Sequence, residues 1–139
     1  MSGPAELYEN FLKAEGYIPQ VDGDGDVVFK KEGTTFFIDI AENDPEYFRI
    51  VCPNFWSIDN EEERARALHS SSRATARGKV AKVFLVRDNT WASVEQFVAQ
   101  PEDFKGIFDR SMSALQNGIG LFVEEMRKAN GEGEGEGEG

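Results

Sequence analysis

The pattern of apolar residues predicts an α+β fold, an antiparallel sheet covered by helices in the order helix, three strands, helix, two strands, helix. Two observations carry this expectation. Apolar side chains recur every three or four residues near both ends of the chain and alternate residue by residue between them. The first three strand-like stretches are joined by turns far too short for a parallel crossover, so they must pair as antiparallel hairpins.

The first helix is expected from Pro4 to Glu15. Pro4 suits the first helical position, Leu7, Tyr8, Phe11 and Leu12 form one apolar face, and Gly16 is a good stop. Strands follow at Asp26 to Lys31, Thr34 to Ala41 and Tyr47 to Cys52, with turns at Glu32-Gly33 and Asn43 to Glu46. Alternation places Phe36, Ile38 and Ile40 on one face, with Phe48, Ile50 and Cys52 sharing a face of the next strand. Phe37, Asp39, Tyr47, Arg49 and Val51 take the opposite faces, which are also partly apolar.

The run Pro53-Asn54-Phe55-Trp56-Ser57-Ile58-Asp59 then reads as a hinge between this meander and the second helix. Asp59 and Glu62 have the spacing of a helix start. The helix is expected over Asn60 to Arg77, acidic in its first turn and basic later, as the helix dipole favours. Its inner face would be Ala65, Leu68, Ser72 and Thr75 or Ala76, with Gly78 as the stop. Lys79 to Arg87 carries apolar residues at both parities and is expected to be a central strand, and Thr90 to Val98 returns beside it. The last helix is expected from Pro101 to Lys128, with the stripe Phe104, Phe108, Ser111, Leu115, Ile119, Phe122 and Met126. Gly118 and Gly120 inside it have two readings, close backbone packing or local weakening at roughly 1 kcal/mol each.

Hydrophobic residues are 40% of the 139, enough for a core in one domain, expected over residues 1–129. Residues 130–139 are a Gly-Glu tail without apolar residues, expected to be disordered. No apolar run approaches the roughly 20 residues of a bilayer span, and the N-terminus lacks signal-peptide features. A lone cysteine excludes an intrachain disulfide framework. The expectation is a soluble, cytoplasmic protein with no membrane partner. The net charge is −11, and an acidic body repels phosphate backbones, which argues against nucleic acid as a partner.

Several stretches together carry a family resemblance. They are Leu7 to Tyr17 (LYENFLKAEGY), Val28-Phe29-Lys30, Phe37-Ile38-Asp39, Asp44 to Phe48 (DPEYF), the Pro53 to Asp59 run, Val80 to Phe84 (VAKVF) and Val94 to Phe97 (VEQF). In this order, across about Leu7 to Met126, the chain resembles the YbjN-like family of bacterial proteins, described as sensory transduction regulators. The resemblance implies a fold similar to type III secretion chaperones, which are small, acidic, usually homodimeric proteins that hold extended segments of a partner. It implies no reaction, cofactor or catalytic residue. The His69-Ser70-Ser71-Ser72 stretch and the Gly-Glu tail depart from it.

No constellation points to chemistry. Asp22, Asp24 and Asp26 suggest a calcium loop, but an EF-hand counted from Asp22 would need Gly and Glu where Val27 and Gly33 stand, so a charged turn is the better reading. Cys52 and His69 are each the only residue of their type, so no zinc site is expected; Cys52 reads as inert core and His69 as helix surface. Among the carboxylates Asp39 stands out by lying mid-strand, and Asp39 or Glu95 is the candidate should the protein be an enzyme after all. No glycine-rich phosphate loop follows a strand. The expected function is therefore non-enzymatic: a chaperone-like or regulatory module, a homodimer, holding a protein or peptide client at a sheet edge and apolar pockets. Phe37, Tyr47, Val51 and Trp56 are the candidate contacts. Phe55, Trp56 and Trp91 have two readings, core or contact surface. The alternative function is a small-ligand sensor with a pocket between sheet and helices.

Overall fold

Six antiparallel strands form an open sheet in the order β1-β2-β3-β4-β6-β5. The computed structural model describes residues 3–129, so the Gly-Glu tail and its expected disorder lie outside the described residues. The strands are β1 (Gln20–Val21), β2 (Val27–Lys31), β3 (Thr34–Ile38), β4 (Tyr47–Ser57), β5 (Lys82–Val86) and β6 (Asn89–Phe97). The helices are α1 (Pro4–Ala14), α2 (Glu61–Arg77) and α3 (Phe108–Ala129), with a 3-10 turn at Pro101–Gly106. The expected α+β architecture is the one observed, with a short extra strand, β1, at one edge.

Local chemistry sets the boundaries. At the end of α1, Gly16 adopts φ +97, and the Gly16 and Tyr17 N–H groups donate to the Lys13 and Leu12 carbonyls. That is a Schellman stop, which needs a residue at ease with positive φ. Glu32 and Gly33 both have positive φ (53 and 83), the geometry whose twist matches a two-residue hairpin between β2 and β3.

One face of the sheet is dry. Val27, Phe29, Phe36, Ile38, Phe48, Ile50, Cys52, Val83, Ala92 and Val94 are all buried in one core cluster with the helices. Tyr8 and Phe11 of α1 meet the Phe104 ring edge-on at 4.6 and 5.0 Å, so α1 and the 3-10 turn cap the β2–β4 half. The other half is covered by α3, with α2 lying beside it along the β5 edge. Two arginines of α2, Arg73 and Arg77, bond to the buried Glu125 of α3 at 3.1 and 2.8 Å. Burial disfavours that carboxylate, but Arg77 and Arg73 outweigh it and hold its pKa below the usual range.

Four expectations are corrected. First, β4 does not stop at Cys52. Cys52 pairs with Ala92 and Trp56 with Thr90, so β4 advances four residues while β6 advances two. Pro53 and Asn54 occupy this bulge, where Asn54 takes φ 54 and a proline costs no ladder hydrogen bond. Second, β5 is an edge strand, because β6 pairs with β4 as well as β5. Third, the N-cap of α2 is Asn60, whose side chain accepts from the Glu63 N–H at 2.8 Å, while Glu63 accepts from the Asp59 N–H at 2.8 Å. Fourth, the buried face of α2 is Ala67, Ser70, Ser71 and Ala74, and Leu68 is 56% exposed.

The two helical glycines separate. A Cβ on Gly118 would lie 3.1 Å from the Ala81 Cβ, so α3 approaches the start of β5 closely there. A Cβ on Gly120 would meet nothing within 4 Å. Gly120→Ala is therefore expected to stabilise the protein by about 0.5–1 kcal/mol through helix propensity, read as a higher urea midpoint at unchanged slope. A lower midpoint would show that Gly120 has a structural role.

Candidate functional site

The opposite face of the sheet carries no described helix. Alternation brings one residue from each strand into rows across it. Tyr47 pairs with Phe97, Arg49 with Glu95, and Val51 with both Phe37 and Ser93. Ser93 in turn pairs with Lys82, and Trp91 with Phe84. The Phe37 and Trp91 rings meet edge-on at 6.0 Å, and Phe84 tilts against Trp91 at 6.4 Å. The Trp91 indole N–H donates to the Asn54 side-chain Oδ1 at 3.0 Å, which ties this cluster to the β4 bulge. At the far end Tyr47 and Phe97 lie 5.7 Å apart, and Phe97 is 79% exposed.

A charge network separates the two aromatic groups. Arg49 donates to Asp39 at 2.9 Å and to Glu95 at 3.2 Å. Glu95 also accepts from Ser93 at 2.9 Å, from the Tyr47 hydroxyl, and from Lys82 at 3.0 Å. Burial alone would raise the Glu95 pKa, but the donors Tyr47, Lys82, Ser93 and Arg49 reverse that and hold it at about 2. Tyr47 is pushed up to about 12, by burial first and by its bond to Glu95 second. A carboxylate so fixed in its charged form anchors the network and is poorly matched to proton transfer near neutral pH.

Of the four candidate contacts, three share this face and one does not. Phe37 and Tyr47 are partly exposed on it. Val51 is on it too, but is 0% exposed between its neighbours, so it is a floor and not a contact. Trp56 lies on the helix-covered side: its ring packs edge-on against Phe122 at 5.6 Å and its indole N–H donates to Glu63 at 3.0 Å. Phe55 packs on the same ring at 5.5 Å. Sequence reasoning missed Phe84 and Phe97; of the three aromatics left between core and contact surface, Trp91 is the one on this face. Their parity was readable, but their place beside β4 depends on the strand order.

The sheet edges are short, and one of them is partly occupied. β1 has two residues. On β5, Val83 turns its backbone groups outward, and Thr75 of α2 occupies them: the Thr75 hydroxyl accepts from the Val83 N–H at 2.9 Å and donates to its carbonyl at 3.4 Å.

The other candidates keep their plainer roles. Cys52 is 1% exposed, and burial pushes its thiol up to about 11, which disfavours the nucleophilic thiolate. His69 is exposed on α2. Asp22, Asp24 and Asp26 bring carboxylate oxygens within 4.8 Å of one another. Asp22 accepts from the Asp24 and Asp26 N–H groups at 2.9 and 3.0 Å, and Asp26 from the Ile40 N–H at 2.9 Å, which is the expected turn chemistry.

No family model matches the sequence, and no curated protein matches it. A crystal structure of an uncharacterized protein from Methanothermobacter thermautotrophicus is similar, with a TM-score of 0.56 and 16% identity. The match covers 92% of this chain and 97% of that chain. It shows a shared α+β fold. No helix among the described residues is long and apolar enough to cross a membrane.

Proposed function

We propose that this chain is a non-enzymatic, cytoplasmic protein-binding module of the YbjN-like kind, a homodimer that holds a segment of a partner protein on the sheet face opposite its described helices. The observation that carries this reading is the Phe37–Trp91–Phe84 cluster on that face. Tyr and Trp on a surface supply contact area at low entropic cost, and a fixed charge network beside them sets orientation. Thr75 occupies the outward groups of Val83 on the β5 edge, which favours the face over the edge as the proposed contact. The acidic body favours basic clients.

Light scattering on the full chain is expected to give twice the chain mass at tens of micromolar. The pair Phe37→Asp and Phe97→Asp is expected to abolish binding of a basic amphipathic peptide while circular dichroism and the dimer mass stay unchanged. A wild-type protein that stays monomeric and binds neither an apolar dye nor a basic amphipathic peptide sinks the reading.

A second reading, a small-ligand sensor, is favoured by one separate feature: a half-open cavity of about 520 Å³ between the α2–β5 connection and α3, in the size range of small-molecule sites.

A further inference from the structure

That cavity lies where the α2–β5 connection meets the first half of α3 and the end of β6. Its lining contains three cations, Arg77, Lys79 and Arg110, and no carboxylate. This is unusual for the chain around it: the net charge is −11, and removing the four tail glutamates still leaves −7 for the rest. Arg77 is already engaged by Glu125 and Glu124. Neither Lys79 nor Arg110 makes an ion pair among the described residues. Two uncommitted cations therefore face a groove whose remaining polar lining is Gln96, Ser111, Ser113 and Asn117; Gln96 already donates to Ser111 at 3.3 Å, while Ser113 and Asn117 can donate neutral hydrogen bonds.

The backbone at the rim is strained. The Ala81 N–H donates to the Lys79 carbonyl at 2.6 Å, closing a three-residue turn around Val80. Val80 sits at φ 70, a conformation that β-branched residues avoid. It is also 62% exposed, so burial of its side chain does not offset that cost. Strain held without a packing return is the kind found at ligand sites, and here it fixes Lys79 and Val80 on the cavity wall.

We propose that this groove binds a small metabolite carrying a phosphate or carboxylate group, with Lys79 and Arg110 as its anion contacts. The inference rests on the sensor reading and adds the ligand class to it. A small anion inside the groove feels mainly the nearby cations, because charges further than about 8 Å are screened at physiological salt. A long polyanion would instead meet the acidic surface, which disfavours nucleic acid. The volume exceeds what one phosphate needs and leaves room for an organic body, to which Val80, Ile107 and Ala114 offer an apolar wall.

Thermal shift and calorimetry on the full chain, at ionic strength fixed with sodium chloride, test this with four probes: adenosine monophosphate, citrate, adenosine and spermidine. Binding of adenosine monophosphate or citrate is expected, and which of the two binds separates the phosphate from the carboxylate form. Lys79→Gln with Arg110→Gln is expected to weaken that binding at least about tenfold, while Lys13→Gln, an exposed cation on α1, leaves it unchanged. If adenosine or spermidine binds and the anions do not, the anion inference is overturned and the sensor reading stands. If no probe binds, or if Lys13→Gln weakens binding as much as the groove variants, the inference is also overturned, and the first of these results removes support for the sensor reading as well.

Discussion

Phe122→Ala is expected to lower stability by about 3–5 kcal/mol, measured by urea denaturation. Phe122 is 0% exposed on α3 and is the ring against which Phe55 and Trp56 both pack, at 5.5 and 5.6 Å with interplanar angles near perpendicular (89° and 77°). Beyond the Pro53-Asn54 bulge, these two contacts tie the end of β4 to α3. Truncating the ring removes its transfer free energy and leaves a cavity that aromatic neighbours on a strand cannot easily fill. The second readout is specific to this site. In a Trp91→Phe background, the Trp56 emission should shift to the red and become more accessible to quencher. A stability loss below about 1 kcal/mol, or an unmoved Trp56 spectrum, would show that the β4 end is held by something else. Should the alanine variant fail to fold, Phe122→Leu keeps most of the volume, and a loss of roughly 1 kcal/mol is expected.

The same region marks the boundary of what the amino-acid pattern reveals. The stripe along α3 and the Glu32-Gly33 hairpin were legible because each is a local rule with little competition: a long 3.6-residue period, and a turn that demands positive φ. Pro53 was a misleading signal. A proline normally ends a strand, but at a bulge its missing N–H removes no ladder bond, so β4 continues to Ser57. Along α2 the buried side chains are only Ala and Ser, so their hydropathy hardly differs from that of the exposed face. The period is correspondingly faint, and the large apolar Leu68, which drew the expected face toward it, is exposed. β5 looked central because both its parities are apolar. The second apolar face belongs through Phe84 to the surface that no described helix covers. Half of the candidate site was therefore visible as the parity of Phe37 and Tyr47. The other half needed the strand order, which no local pattern encodes.

Replacing Glu95 by Gln is expected to cost about 3 kcal/mol at neutral pH and almost nothing in strong acid. Glu95 is held at about 2 against an ordinary value of 4.5, with its side chain 21% exposed. A shift of that size corresponds to roughly 3 kcal/mol of preference for the charged form in the native state. Because the folded pKa is depressed, this stabilisation is complete above the unfolded value and is lost as pH falls from about 4.5 toward 2. Wild type and Glu95→Gln should therefore converge in stability across that window. A gap of equal size at both ends would mean that the substitution acts through packing. Tyr47 supplies an independent readout. Its hydroxyl is pushed up to about 12 by burial and then by Glu95, so the variant should titrate lower by phenol absorbance. The raised value works in the opposite direction: its stabilisation is complete below 10 and is lost as pH rises toward 12. Arg49, between Asp39 and Glu95, keeps one partner in the variant, so the cost stays below that of stranding a fully buried charge. The network thus fixes Tyr47 at one end of the open face and Ser93 beneath its centre, which gives the aromatic cluster a rigid floor.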